Sequence, residues 1–430
     1  MNDEHILRIK EAFGSDESIR RYENIEYLHI TGSSLNTAGE IRIVIESQDE
    51  IFHPAHSYLI VEGQLVKDVA ASTAYTDAEK VSLVNNAPMF LFSNIRYELS
   101  GHEIESVNYP GPATTIKGLL AYGDDFAKGQ GMNQCWTKDS SAVADMEENT
   151  GFATRHNYII IMPTPKGSFS FAIPLKHIFG FAEDYDKVTY GLRHVMTMVR
   201  QSDDDAIFRA TGAALKGKIV LSKISWIMPR VLPNDQERLS LMKTIEAKSA
   251  ISVGFRTHQC DTITVSLSTS FSWRLSVRTS PESPRWIIIG FQTDRAADQE
   301  KDSAAFDHCE AENVWVELNG NPYPSLQCNT DFLKQKVATA YTQVSKFIPN
   351  YYGNMYAQPS ISPADFTSLY PLHVIDITKQ PERIKYGVMD MNLRATIKKT
   401  VKANTQAYAL VISDRILTFQ SDGSKMNVTF

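Results

Sequence analysis

The sequence predicts an all-β chain in which one β unit is used twice, with short helices confined to the loops. Three observations predict it. A thirteen-residue stretch, Asn94–Ser106, returns at an offset of 219 as Asn313–Ser325. Apolar and polar residues alternate in many short runs separated by turn formers, the pattern of β-sandwiches. Segments with helical spacing are few and short.

The repeat matches Asn94 to Asn313, Glu98 to Glu317, Leu99 to Leu318 and Gly101 to Gly320, and sets Ile95 against Val314. Each copy reads as a strand entering a tight hairpin, at Ser100-Gly101 or at Asn319-Gly320. Such two-residue turns need positive φ at both central positions, which Gly reaches freely and Asn tolerates. Pro322 cannot donate to a ladder and marks its strand as an edge. The segments downstream of the two copies support a true repeat. Helical spacing comes next, at Thr114–Tyr122 and Phe332–Phe347, and then a Pro-Leu step into a strand, at Pro174-Leu175 and Pro371-Leu372.

Taken in order, residues 1–22 read as an amphipathic helical arm with Ile6, Ile9 and Phe13 on one side. Glu40–Glu46 and Ser57–Gln64 read as half-buried strands, because Ile41, Ile43 and Ile45 alternate in the first and apolar residues dominate the second. After the first hairpin, Tyr122–Thr154 is rich in Gly, Asp and Lys and is expected to be a large surface loop. Strands are expected at Tyr158–Pro163, Ser168–Pro174 and within Lys187–Gln201. The polar joint Ser202–Asp205 and the stretch Thr211–Lys218 suggest a boundary, giving units 23–212 and 213–430. In the second unit, Ile219–Val231 starts the β pattern and Asn234–Ala247 reads as a charged helix. Asp261–Leu267 and Phe271–Val277 then alternate, with a turn at Pro281–Pro284 and a strand at Trp286–Phe291. Thr293–Glu312 is a second polar loop, and the tail holds strands at Leu372–Ile377, Gly387–Lys398 and Gln406–Phe419.

Composition narrows the function classes. With 43% hydrophobic residues in 430, the chain can bury substantial cores. No apolar run approaches the roughly 18 residues of a membrane span, and Met1–His5 has no signal-peptide pattern or myristoylation glycine. A soluble protein made in the cytosol is expected. Cys135, Cys260, Cys309 and Cys328 are scattered without a CxxC pair and read as free thiols. A net charge of −7 without a basic tail argues against direct, sequence-specific nucleic-acid binding, and Lys398, Lys399 and Lys402 read as a solvated strand end.

Catalytic and cofactor motifs fail on inspection. Gly212–Ile219 matches a phosphate-binding loop except at Ile219, where Ser or Thr would hold magnesium, and a β-like run begins where a helix should open. It reads as a linker. His53-Pro54-Ala55-His56 and Asp307-His308-Cys309-Glu310 contain metal-ligand types, but neither has a second ligand pair at an established spacing, so they read as loop residues. Asp203–Asp205 lacks the Gly and distal Glu of a calcium loop. No carboxylate pair stands out for glycoside hydrolysis, and Trp273, Trp286 and Trp315 sit at alternating strand positions that suit core packing. No catalytic, cofactor or metal site is expected.

With the repeat and the strand order in place, the chain resembles the double jelly-roll major capsid proteins of DNA viruses and virus-like transposons, most closely the Polinton/Maverick and adintovirus group. The resemblance rests on Asn85–Ile104, which holds the first hairpin strand, with Ile116–Tyr122 after it. It rests also on Phe171–Leu175 and on Pro371–Phe419, including Pro-Leu-His-Val-Ile-Asp-Ile-Thr and Tyr386-Gly-Val-Met-Asp-Met-Asn-Leu. It covers nearly the whole chain, in pattern and order rather than in a signature. It implies two tandem eight-stranded jelly-roll sandwiches, and a homotrimer presenting six similar units that tile an icosahedral shell with neighbouring trimers. It implies upright strands, with the two large loops as outer-tower or inter-subunit candidates. A single jelly-roll penton or minor capsid protein is the implied partner, and the shell, assembled in nucleus or cytoplasm, is the implied location. An internal membrane is left open. Two alternatives are a scaffolding or domesticated protein of the same fold and a sugar-binding β-sandwich.

Overall fold

The computed structural model describes residues 18–430 except 31–33, 47–48, 213, 277–281, 355–356, 381–389, 422–425 and 430. Most of the expected N-terminal arm lies outside the described residues, as do Val277, Pro281 and Tyr386–Met389. Eight strands form a first sandwich: β1 (Ile19–Leu28), β2 (Gly39–Ile45), β3 (Tyr58–Lys67), β4 (Phe92–Leu99), β5 (His102–Asn108), β6 (Ser168–Pro174), β7 (His194–Arg200) and β8 (Gly217–Pro233). Its sheets run β6-β3-β8-β1, with the short strands Ile51–Phe52 and Thr189–Tyr190 added beside β8, and β2-β7-β4-β5. Eight more form a second: β9 (Ile251–Thr264), β10 (Ser270–Arg274), β11 (Ser283–Thr293), β12 (Ala311–Leu318), β13 (Asn321–Tyr323), β14 (His373–Asp376), β15 (Met391–Ile397) and β16 (Thr405–Ser421). Its sheets run β14-β11-β16-β9, with Met426–Thr429 added on β16, and β10-β15-β12-β13, so each of the eight first-sandwich strands has its counterpart eight labels later. The fold is two tandem eight-stranded jelly rolls.

Alternation explains the strands. Ile95, Tyr97 and Leu99 of β4 are buried while Arg96 and Glu98 between them pair with each other at 2.8 Å on the outer face. In β12, Val314, Val316 and Leu318 repeat that pattern, and Glu317 reaches Arg394 at 2.8 Å. Burying each such apolar side chain contributes about 1.5–3 kcal/mol. Asn94 and Asn313 brace the hairpins: Asn94 Nδ2 donates to Ser106 Oγ at 2.9 Å, and Asn313 Oδ1 accepts from the Asn329 N–H at 2.8 Å. The turns carry φ of 47° and 86° at Ser100-Gly101, and 49° and 87° at Asn319-Gly320. No atom stands within 4 Å of a Cβ added at Gly101 or Gly320, so backbone strain alone opposes substitution. Gly101→Val and Gly320→Val should each lower stability by about 1 kcal/mol or more in thermal melts. Two unchanged melts would reject the strain.

The β11 run Trp286–Phe291 is continuous rather than alternating because both of its faces are covered. Ile287 and Ile289 point into the second sandwich with Val316, Leu393 and Val411. Trp286 and Ile288 point the other way, into a core shared with Phe255, Leu410 and the whole first sandwich, including Ile43, Tyr97 and Trp226. One apolar cluster thus joins the two jelly rolls.

Several expectations are corrected. Ile19–Leu28 is a strand rather than the end of a helical arm, held by antiparallel pairing from Ile19↔Pro233 to Leu28↔Ser225. Because β8 pairs with β1 and β3, the first unit extends to Pro233, and the boundary expected between 212 and 213 lies past it. Tyr158–Pro163 is not a strand. Asn157–Ile161 forms a π turn that continues the helix Thr150–His156, whose cap Asn149 accepts from the Phe152 N–H at 3.1 Å. A short apolar run carries no periodicity that separates the two outcomes. Phe332–Phe347 is helical only at Ala338–Ser345, with Leu333 exposed, and a second helix comes after it at Phe347–Tyr352. Pro174-Leu175 ends β6 in a 3-10 turn instead of entering a strand.

The two large polar stretches combine exposed segments with anchored ones. Tyr122–Thr154 contains the helix Asp124–Lys128, and it buries Trp136, Asp139 and Asn149. Thr293–Glu312 buries Asp302, Ala304, Ala305 and Phe306. Both cross to the opposite jelly roll. Lys138 Nζ reaches Asp365 at 2.9 Å, and Gln299 exchanges hydrogen bonds of 2.8 Å with the Gly217 N–H and C=O.

Candidate functional site

The most built feature of the molecule is the seam between its jelly rolls. From the first come β5 and the helix Gly180–Asp184; from the second come β9, β16 and the helix Phe347–Tyr352. Glu105 of β5 is buried at its centre, accepting from the Phe181 N–H at 3.1 Å and the His258 N–H at 2.8 Å. Arg415 of β16 donates to the Ile104 carbonyl at 2.6 Å. Arg256 of β9 grips Asp184 through Nε at 2.9 Å and through its own N–H at 2.8 Å, with Nη2 closing the fork. Its guanidinium lies 3.7 Å from the Tyr351 ring centroid, a cation–π contact. Glu183 collects Lys117 Nζ at 2.7 Å, Tyr351 Oη at 2.9 Å and Tyr352 Oη at 2.7 Å.

The two carboxyls titrate in opposite senses. Burial pushes Glu105 up to about 7 despite the main-chain donors that favour its charged form. Burial also raises Glu183, but the charge of Lys117 and the hydroxyl of Tyr352 outweigh it and hold that group down to about 2. A carboxyl whose folded pKa is raised contributes fully below its ordinary value of about 4.3, and that contribution is lost as pH rises through about 7. A depressed one contributes above the ordinary value and loses it as pH falls toward about 2. Glu105→Gln should therefore flatten the fall in melting temperature between about pH 4 and pH 7, and leave the acid fall intact. An unchanged neutral limb would refute the assignment.

The strand-for-strand repeat is matched by sequence over most of the chain: residues 81–417 fit the model of the family described as Double jelly roll-like domain. The chain belongs to the double jelly roll-like domain family. This double jelly-roll protein is similar in fold to three solved virus structures. Against the capsid of PBCV-1 the TM-score is 0.60 at 12% identity, covering 98% of this chain and 99% of the other. Against the Sputnik virophage it is 0.62 at 9% identity, covering 100% and 92%. Against the Faustovirus major capsid protein it is 0.57 at 10% identity, covering 97% and 93%. No curated protein matches it in sequence.

The other candidate residues of the double jelly roll take the following positions. Gly217–Ile219 opens β8, with the Ile219 N–H donated to Asp203 at 2.8 Å, so the phosphate-loop-like stretch starts a strand instead of a helix. Asp307 pairs with Arg295 at 2.7 Å, Glu310 with Lys399 at 2.7 Å, and His308 stacks on Phe332. Lys398 of the basic patch is held by Asp331 at 2.6 Å. All four thiols are free, and burial pushes Cys135 up to about 12 and Cys309 up to about 11, which disfavours their thiolate forms. Trp273 and Trp286 are buried in the core, while Trp315 is half-buried on the outer face of β12. His53 and His56 meet Asp186, a residue that no spacing rule connects to them.

Among the described residues, the counterparts of the seam surfaces carry exposed apolar side chains. β13, equivalent to β5, is a three-residue edge carrying Pro322, with Leu326 exposed just beyond it. β1, equivalent to β9, exposes Ile19, Tyr22 and Leu28 along its length.

Proposed function

We propose that this chain is a major capsid subunit of a DNA virus or virus-like transposon, and that three copies close into a capsomer of pseudo-hexagonal outline. The seam carries the reading. Within the chain, β5 of one jelly roll meets β9 and β16 of the next; between chains, the equivalent β13 would meet the equivalent β1 and β8. Two unlike, complementary surfaces make a heterologous contact, and such contacts build closed rings when the rotation closes. Six jelly rolls from three chains would use one kind of seam throughout. The fold shared with the PBCV-1, Sputnik and Faustovirus chains supports this role. The sequence resemblance favours the Polinton/Maverick and adintovirus group, a shell of neighbouring trimers, and a single jelly-roll penton or minor capsid protein as partner.

Light scattering after size exclusion should give a mass about three times 48.3 kDa, and electron microscopy a pseudo-hexagonal particle. Leu28→Asp should yield monomers that melt like the monomeric unit, because an exposed substitution of this kind shifts stability by about 0.5 kcal/mol or less. A wild-type protein that stays monomeric at tens of micromolar would overturn the proposal.

A further inference from the structure

The His53–His56 turn lies between the short strand Ile51–Phe52 and β3 and packs against the helix Gly180–Asp184. Pro54–His56 is a 3-10 turn with His53 at its N-cap, and in that geometry residues three apart eclipse one another. The two imidazoles consequently stack, with ring centroids 4.3 Å apart and planes inclined by 27°. Asp186, on the loop after the helix Gly180–Asp184, closes the arrangement. Its Oδ1 stands 2.7 Å from His53 Nε2 and 3.3 Å from His56 Nε2. The three ligand atoms all lie within 4.8 Å of one another.

A fourth residue fixes the inner ring. Tyr22 of β1 places its hydroxyl 3.3 Å from His53 Nδ1. Without an ion, His53 Nε2–H donates to Asp186 Oδ1 at 2.7 Å; an ion taking that proton's place would leave Nδ1–H donating to the Tyr22 oxygen. Metal-binding histidines are oriented by a partner of this kind on the far nitrogen. The outer members are accessible: the side chains of His56 and Asp186 are 59% and 68% exposed, so an ion can enter and keep a water as its fourth ligand.

We propose that His53, His56 and Asp186 form a binding site for a divalent transition-metal ion, with Zn²⁺ the best fit. Two imidazole nitrogens and one carboxylate oxygen suit zinc, whereas calcium and magnesium take oxygen ligands. At bond lengths of about 2.0–2.2 Å, tetrahedral ligand atoms stand about 3.3–3.6 Å apart. The His56–Asp186 separation of 3.3 Å meets that spacing already, and the His53–Asp186 contact has to open from 2.7 Å by under an ångström. The ion would tie the turn before β3 to the loop before Thr189 and, through Tyr22, to β1. Three segments distant in sequence would be held by one centre. The inference stands independently of the capsid reading.

The test is titration of ZnCl₂ into the metal-stripped full-length protein by calorimetry, with thermal melting in parallel and Co²⁺ absorbance as a reporter of tetrahedral geometry. One ion per chain, a raised melting temperature and an intense visible Co²⁺ band are expected. His56→Ala and Asp186→Asn alter exposed side chains and should keep the fold, yet each should weaken Zn²⁺ binding at least tenfold. Tyr22→Phe should weaken it severalfold, and excess Ca²⁺ or Mg²⁺ should not compete. Zinc bound equally well by His56→Ala and Asp186→Asn, or no binding at micromolar Zn²⁺, would overturn the proposal.

Discussion

Gly180→Ala is expected to break the seam between the jelly rolls, with a loss of about 3 kcal/mol or more. A Cβ at this position would lie 1.5 Å from the Arg256 carbonyl oxygen and 3.3 Å from the His258 ring. The obstacle is main chain, so no rotamer change relieves it. Nor can the two segments drift apart, since Glu105 holds the Phe181 and His258 N–H groups together and Arg256 grips Asp184. Calorimetry should show a lower transition or two separated ones, because domains released from each other unfold independently. Gly254→Ala is the control. Gly254 lies on β9 with no atom within 4 Å of the added Cβ, and its effect should stay within about 0.5 kcal/mol. A Gly180→Ala protein that melts like Gly254→Ala would show that the strands do not meet as described.

Asp139→Ala should cost a comparable amount, about 3–5 kcal/mol, by stranding a buried charge. Arg155 is 2% exposed and Asp139 1%. Arg155 Nη2 meets both Asp139 oxygens, at 2.9 and 2.7 Å, while Nε donates to the Leu83 carbonyl at 2.8 Å. The neighbouring carboxyl of Asp302 is pushed up to about 7, first by burial and then by the Asp139 charge, and burial still opposes its ionisation once Asp139 is gone. Tyr370, from the second jelly roll, donates to the Asp139 carbonyl at 3.0 Å and carries the damage across the seam. Replacing both charges, as Asp139→Leu with Arg155→Met, should recover much of the loss, since a buried pair often does no better than apolar residues of similar volume. Denaturant midpoints measure both variants. A single variant no less stable than the double would refute the stranded-charge account.

What the sequence determined by itself is whatever is set by neighbours a few positions apart. Ile41, Ile43 and Ile45 specify a half-buried strand through a period of two, and Ser100-Gly101 and Asn319-Gly320 specify turns through the φ their residues tolerate. Together with the order of strands, this made two tandem jelly rolls legible. Tertiary structure decided the rest. The β8 sequence carries no mark saying that it pairs with β1 and β3 of the first unit, because backbone hydrogen bonding is the same whichever strand supplies it. Ile159 and Ile160 are as apolar in a helix as in a strand, so only the capped turn before them settled their conformation. Lys138 in Tyr122–Thr154 and Gln299 in Thr293–Glu312 looked solvent-facing until partners from the other jelly roll, Asp365 and Gly217, were met. Asp186 joins His53 and His56 across more than a hundred residues. Local pattern encodes conformation, but the convergence of distant side chains is a property of packing, and both the seam and the candidate metal site depend on it.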